Sequence, residues 1–224
     1  MTVLHLADDG EAADLAAFLA RLLHYDRGAV VRLQAAGTAL AVFGRPPSFE
    51  VLAVRTVRLA KPYEDGLEAV LDVTVSAGEL LESVDESAAT AVVPDAVTGP
   101  PWAGVLPPRG GWRPEPGLPA PDALRALVAG AVAEFRSRTR ELAPERRTRT
   151  ELDRIGRDIW SRLVGGTSLP VRAVHAAQSL GFLRRRDAVE AGLFSSGAWL
   201  RLRTPYGSVA VRRAGLGALD VSVR

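Results

Sequence analysis

The chain has 224 residues, 47% of them hydrophobic and 24% charged, with no cysteine and a formal net charge of +2. That length suits one large domain or two of about 100 residues. The lack of cysteine excludes disulfides, thiolate metal sites and cysteine nucleophiles.

The charge is unevenly laid out. Residues 1–120 hold nine basic and sixteen acidic side chains, a net of −7, whereas residues 121–224 hold nineteen and ten, a net of +9. An acidic half joined to a basic half points to an anionic partner or to one half docking on the other. The opening residues carry no basic stretch of a secretion signal. The longest uncharged apolar run, residues 126–133, falls far short of the roughly 20 residues that span a bilayer. A cytoplasmic protein without membrane contact is expected.

In chain order, a short strand at 2–6 precedes Asp8 and Glu11, whose spacing is that of a helix-start box. Leu15, Phe18, Leu19, Leu22 and Leu23 then recur at helical period, which predicts a helix over about 11–23. Residues 29–44 read as a hairpin turning at Ala35-Ala36-Gly37, and 49–60 as a further strand. In 67–76, Leu67, Ala69, Leu71, Val73 and Val75 alternate with polar residues. Ser76 and Glu79 form a second box, ahead of Leu80, Leu81 and Val84. These elements predict an antiparallel sheet covered by helices over residues 1–93.

Periodicity then stops. The segment "GPPWAGVLPPRGGWRP", residues 99–114, is dense in proline and glycine and holds Trp102 and Trp112, two of the chain's four tryptophans. A disordered linker avoids large aromatics, so 94–120 is expected to be an ordered clasp across the domain junction. A loose linker and a ligand-binding loop around Arg109 are the alternatives.

Pro121 opens a helix striped with Leu124, Leu127, Val128, Ala131, Val132 and Phe135, ending before Pro144. Thr148 with Glu151 starts another, with Leu152, Ile155, Ile159, Trp160 and Leu163 on its apolar side. Between them, residues 136–154 interleave both signs of charge, as solvated helix ends do. A third helix runs from Pro170 to Leu180, closed by Gly181 and Phe182. A short helix is expected over 186–194. Residues 199–213 form a hairpin around Pro205-Tyr206, pairing Leu202 with Val209 and Leu200 with Val211, and 219–223 offer a third strand.

The fold class is therefore α+β: an acidic domain (1–93), a connector (94–120), and a basic helical domain (121–224) ending in a hairpin or three-stranded meander, winged-helix-like in its order of elements. His5, His24 and His175 lack the spacing of a zinc helix, and no nucleophile elbow or phosphate-binding loop is present. No cofactor is expected, and a catalytic role ranks last. A winged helix reads DNA with one helix and touches the backbone with its hairpin. The candidates for nucleic-acid contact are accordingly Arg172, Arg184, Arg185, Arg186, Arg201, Arg203 and Arg212, with a planar fork suited to phosphate oxygens. The competing reading is a protein-interaction or scaffold module whose basic half docks on an acidic surface.

The runs "PPWAGVLPPRGGWRP" and "LPVRAVHAAQSLGFL" resemble an uncharacterised actinobacterial two-domain family with no assigned function. The resemblance implies two domains and supplies no catalytic or binding residue.

Overall fold

Helices begin where side-chain oxygens stand ready to accept the first free amides. Asp8 accepts from the Glu11 amide and opens α1 (Asp9–Tyr25), Ser76 does so for Glu79 at α2 (Ala77–Glu82), and Thr148 for Glu151 at α4 (Arg149–Trp160). Proline stands at the start of α3 (Pro121–Glu141) and just before α5 (Val171–Ser179). Beyond α5, Gly181 turns left-handed at φ +78° and the Phe182 amide donates back to the Ala177 carbonyl, ending the helix. The computed structural model describes residues 2–63, 70–184 and 190–213.

The alternating segments form β1 (Val3–His5), β2 (Val30–Ala36), β3 (Ala39–Gly44), β4 (Leu52–Arg58), β5 (Val70–Ser76), β6 (Thr90–Val92), β7 (Arg113–Glu115), β8 (Gly192–Ser196), β9 (Trp199–Thr204) and β10 (Gly207–Arg212). β1 and β6 pair alone. The other eight make one antiparallel sheet in the order β5-β2-β3-β4-β10-β9-β8-β7. The halves meet inside that sheet, where β10 pairs with β4 and Val209 stands opposite Ala53. Leu202 pairs with Val209 and Leu200 with Val211, the register that keeps the apolar side chains on one face.

One face of the sheet carries the helices. Leu15, Phe18, Leu19 and Leu22 of α1 and Val174 and Ala177 of α5 share one buried cluster with Leu33, Val42, Ala53, Leu202 and Val209 of the strands. Each buried leucine or phenylalanine contributes about 1.5–3 kcal/mol relative to exposure. Phe18 stacks on Phe182 with ring centroids 5.7 Å apart, tying the acidic half to the basic half.

The structure corrects two expectations and leaves a third outside the described residues. Residues 192–194, the end of the short helix expected over 186–194, belong to strand β8. Leu193 faces the core and Phe194 the opposite side, an alternation that pairing with β9 makes decisive. The third strand of the meander is β8, and the proposed strand at 219–223 lies outside the described residues. The winged-helix arrangement is absent from the described fold, because the hairpin that would be the wing supplies central strands of the sheet. α5, the would-be reading helix, has Val171, Ala173, Val174, Ala176 and Ala177 buried.

Two sites make this packing testable. A β-carbon at Gly207, where φ is +153°, would lie 2.5 Å from Cε1 of the buried Phe182 ring. Gly207→Ala should therefore lower stability by about 1–3 kcal/mol or more through overpacking. Gly37→Ala, in open space at φ +57°, should cost about 1 kcal/mol for its backbone alone. Equal urea midpoints for the two variants would contradict the packing.

His175 lies between Trp160, stacked at 4.6 Å, and the edge of Phe49 at 5.0 Å. Burial pushes its pKa below the ordinary 6.5. The fold thus favours the neutral ring, so this contribution is whole above pH 6.5 and is lost as the pH falls below it. The native urea midpoint should drop between pH 7.5 and about 5 by more than that of His175→Phe. Parallel curves would contradict burial of the neutral ring.

Candidate functional site

The sheet face opposite the helices is where exposed chemistry collects. Strand alternation directs Phe43 of β3, Leu52, Val54 and Thr56 of β4, Ser208, Ala210 and Arg212 of β10, and Trp199, Arg201 and Arg203 of β9 to that side. The connector crosses this face. The Val97 amide bonds the Thr74 carbonyl at the β5 edge, a 3₁₀ turn at Pro101–Gly104 presents Trp102, and the chain joins β8 through β7 at the far edge. Trp102, Leu106 and Trp199 pack on a small second cluster of Phe43, Leu52, Val54 and Ala210, which spans the β4–β10 seam between the halves.

Beside that cluster lies a groove of about 380 Å³. Its apolar walls are Trp102, Trp199, Leu52 and the half-exposed Val105, and its rim carries Arg45, Arg172, Arg212 and Glu50. The Arg212 guanidinium sits 5.6 Å from the Trp199 ring centre. Arg172 Nε is 3.9 Å from Glu50 and has no hydrogen-bond partner, although it is buried. The groove is built by both halves and the connector.

A second concavity of about 760 Å³ lies on the same face and includes Arg201, Arg203, Phe194, Thr56 and Ser208. Arg201 Nε donates to Ser208 Oγ at 2.8 Å, and its guanidinium lies 5.6 Å from the Trp112 ring. Burial first, and then the neighbouring Arg203, lower the Arg201 pKa from its ordinary value. Trp112 itself donates from Nε1 to the Pro108 carbonyl at 2.9 Å, closing the end of the connector.

The arginines singled out from the sequence are thus divided. Arg172 and Arg212 meet at the tryptophan groove, and Arg201 and Arg203 at the second recess. Arg184 lies on the helix side, paired with Asp14 of α1 and 4.3 Å from the Tyr206 ring. Arg185 and Arg186 lie outside the described residues. Arg184 is engaged between the halves and α5 is packed into the core, so among the described residues Arg184 does not join the other four arginines on the open sheet face. The basic half docks on the acidic half instead.

Sequence reasoning did not single out Arg45, Glu50, Val105 or Trp199. The placement of Trp199 beside Arg201 and Arg203 on the outward face was the available signal. Among the described residues, no group of three histidine or acidic side chains is placed to hold a metal. No helix among them is long and apolar enough to cross a membrane.

These features define a two-part α+β protein whose halves share one sheet and one core. Residues 1–104 match the family model of a domain of unknown function (DUF8010), and residues 107–216 match that of a second (DUF8185). The two matches are consistent with an uncharacterised two-domain family, and they say nothing of an actinobacterial source. No curated protein matches it.

Among solved structures, it is similar to the DNA polymerase sliding clamp from Pseudomonas aeruginosa. A ligand-bound crystal form shows 15% identity and a TM-score of 0.47, over 93% of this chain and 64% of the clamp. A second form shows 14% and 0.49, over 98% and 66%. The chain spans about two thirds of the clamp's length. These neighbours are sliding clamps where the sequence reading expects a winged helix, and a likeness this loose carries no function to this chain.

Proposed function

We propose that the chain is a protein-interaction module, which holds a short acidic segment of a partner protein in the groove between Trp102 and Trp199. The observation that carries this reading is the composition of the groove. Two tryptophans form apolar walls at the seam of the halves, under a rim of three arginines and one glutamate. Tryptophan and arginine dominate the energetic centres of protein interfaces. The three-to-one excess of positive charge favours acidic residues around an apolar anchor and steers them in.

The test is a titration of the whole chain with a blocked peptide carrying a Leu-Phe pair between aspartates and glutamates. Saturable binding with a change in tryptophan emission is expected, weakening as salt rises. A peptide with lysines in place of the acids should bind at least tenfold more weakly. Equal binding of both peptides, or binding of neither, would contradict the reading.

A further inference from the structure

The second recess carries an inference independent of the interaction groove. Arg201 and Arg203 lie two residues apart on β9 and line it together, with Thr56 of β4 and Ser208 of β10 across the floor and Phe194 of β8 on one wall. We propose that this recess binds a small phosphorylated anion.

Counter-charge is the first ground. Several arginines that lose solvent in this fold meet a carboxylate: Arg55 meets Glu11 and Asp14, Arg184 meets Asp14, and Arg213 meets Glu115. Among the described residues, neither Arg201 nor Arg203 lies within ion-pair distance of one. A partly desolvated guanidinium without an anion is unfavourable, and the positive charge of Arg203 beside it adds to the cost.

Preorganisation is the second ground. Arg201 is held by Ser208 Oγ through Nε and flanked by the Trp112 ring, so its two terminal nitrogens remain for a ligand. Because the Ser208 oxygen accepts from Arg201, its own hydrogen is free to point elsewhere. A fork fixed in this way suits two oxygens of one phosphate, and the second arginine matches the second negative charge. A monocarboxylate offers one charge and two oxygens, and fills less of this donor set. Among the described residues, the single acid on the recess is Glu190, which is exposed, so solvent screens its repulsion. Phe194 gives an apolar surface to whatever bears the phosphate.

The test is calorimetric titration of the full chain with pyrophosphate, phenyl phosphate and benzoate at constant ionic strength. One-to-one saturation with both phosphates is expected, with benzoate at least tenfold weaker than phenyl phosphate. Arg203→Gln changes an exposed side chain, so folding is preserved, and it should weaken phenyl phosphate at least tenfold. Arg201→Gln should do the same, and Glu190→Gln should tighten binding severalfold. The proposal is overturned if neither phosphate saturates the native chain, if benzoate binds as well as phenyl phosphate, or if Arg203→Gln leaves the affinity unchanged. None of these outcomes bears on peptide binding at the tryptophan groove, which leaves Arg201 and Arg203 unused.

Discussion

Arg55→Ala should lower the unfolding free energy by about 3–5 kcal/mol, the range for removing one member of a buried ion-pair set. The side chain is 6% exposed on β4, on the helix side of the sheet. Its Nη2 lies 2.9 Å from Glu11 and 3.2 Å from Asp14 of α1, and its Nη1 donates to the Tyr206 carbonyl at 2.8 Å. Residue 206 belongs to the turn between β9 and β10, so this one guanidinium joins the acidic half to the basic half. Arg55→Lys keeps the charge but loses the planar fork that reaches α1 and the turn together, and should fall between native and alanine.

Urea unfolding followed by tryptophan emission measures both variants. The loss should appear as a shift of one transition, since both halves contribute to one sheet and one core. A loss below about 1 kcal/mol would mean that the pair behaves as an exposed salt bridge.

Trp102→Ala should weaken the acidic Leu-Phe peptide by ten- to a hundredfold, or about 1.4–2.8 kcal/mol at 1.4 kcal/mol per tenfold. The indole stands in the 3₁₀ turn of the connector, packed on Phe43, Leu52 and Val54 from one side and open to the groove on the other. Removing it takes away the groove wall and leaves the main core cluster, to which it does not belong, in place. Arg212→Glu tests the rim separately by turning three arginines and one glutamate into two of each, and should cost about tenfold, most of it at low salt. Native affinity in both variants, with circular dichroism unchanged, would remove the groove from the account of binding.

Much of the local structure is legible in the sequence because its signals are short in range. The three boxes at Asp8 and Glu11, Ser76 and Glu79, and Thr148 and Glu151 each specify a helix start within four residues. The β9–β10 register follows from the alternation of Leu200, Leu202, Val209 and Val211. What joins the halves is not local. Nothing in 52–58 names 207–212 as its partner, because alternation assigns a face to a strand and leaves its neighbour open. Strand β8 is hidden for a related reason: "RDAVEAGLF" reads as helix until pairing with β9 makes Leu193 a core residue.

The site was legible in pieces. Trp102, expected in the connector clasp, and Arg172 and Arg212, expected at nucleic acid, line one groove, while Arg184 of the same arginine set lies on the opposite side. Identical side chains in one basic half take different roles according to the face each strand or loop presents, and only the assembled sheet decides that.

The most direct test of the interaction reading uses the four tryptophans as reporters in a ¹H–¹⁵N correlation spectrum of the whole chain titrated with the acidic peptide. The indole signals of Trp102 and Trp199 and the amides of Leu52, Val105 and Ala210 should shift in a saturable manner, while the Trp160 indole, packed between α3 and α5, stays in place. Shifts confined to the Arg201 recess or to the α3–α4 hairpin, or a spectrum unchanged at high peptide concentration, would contradict it.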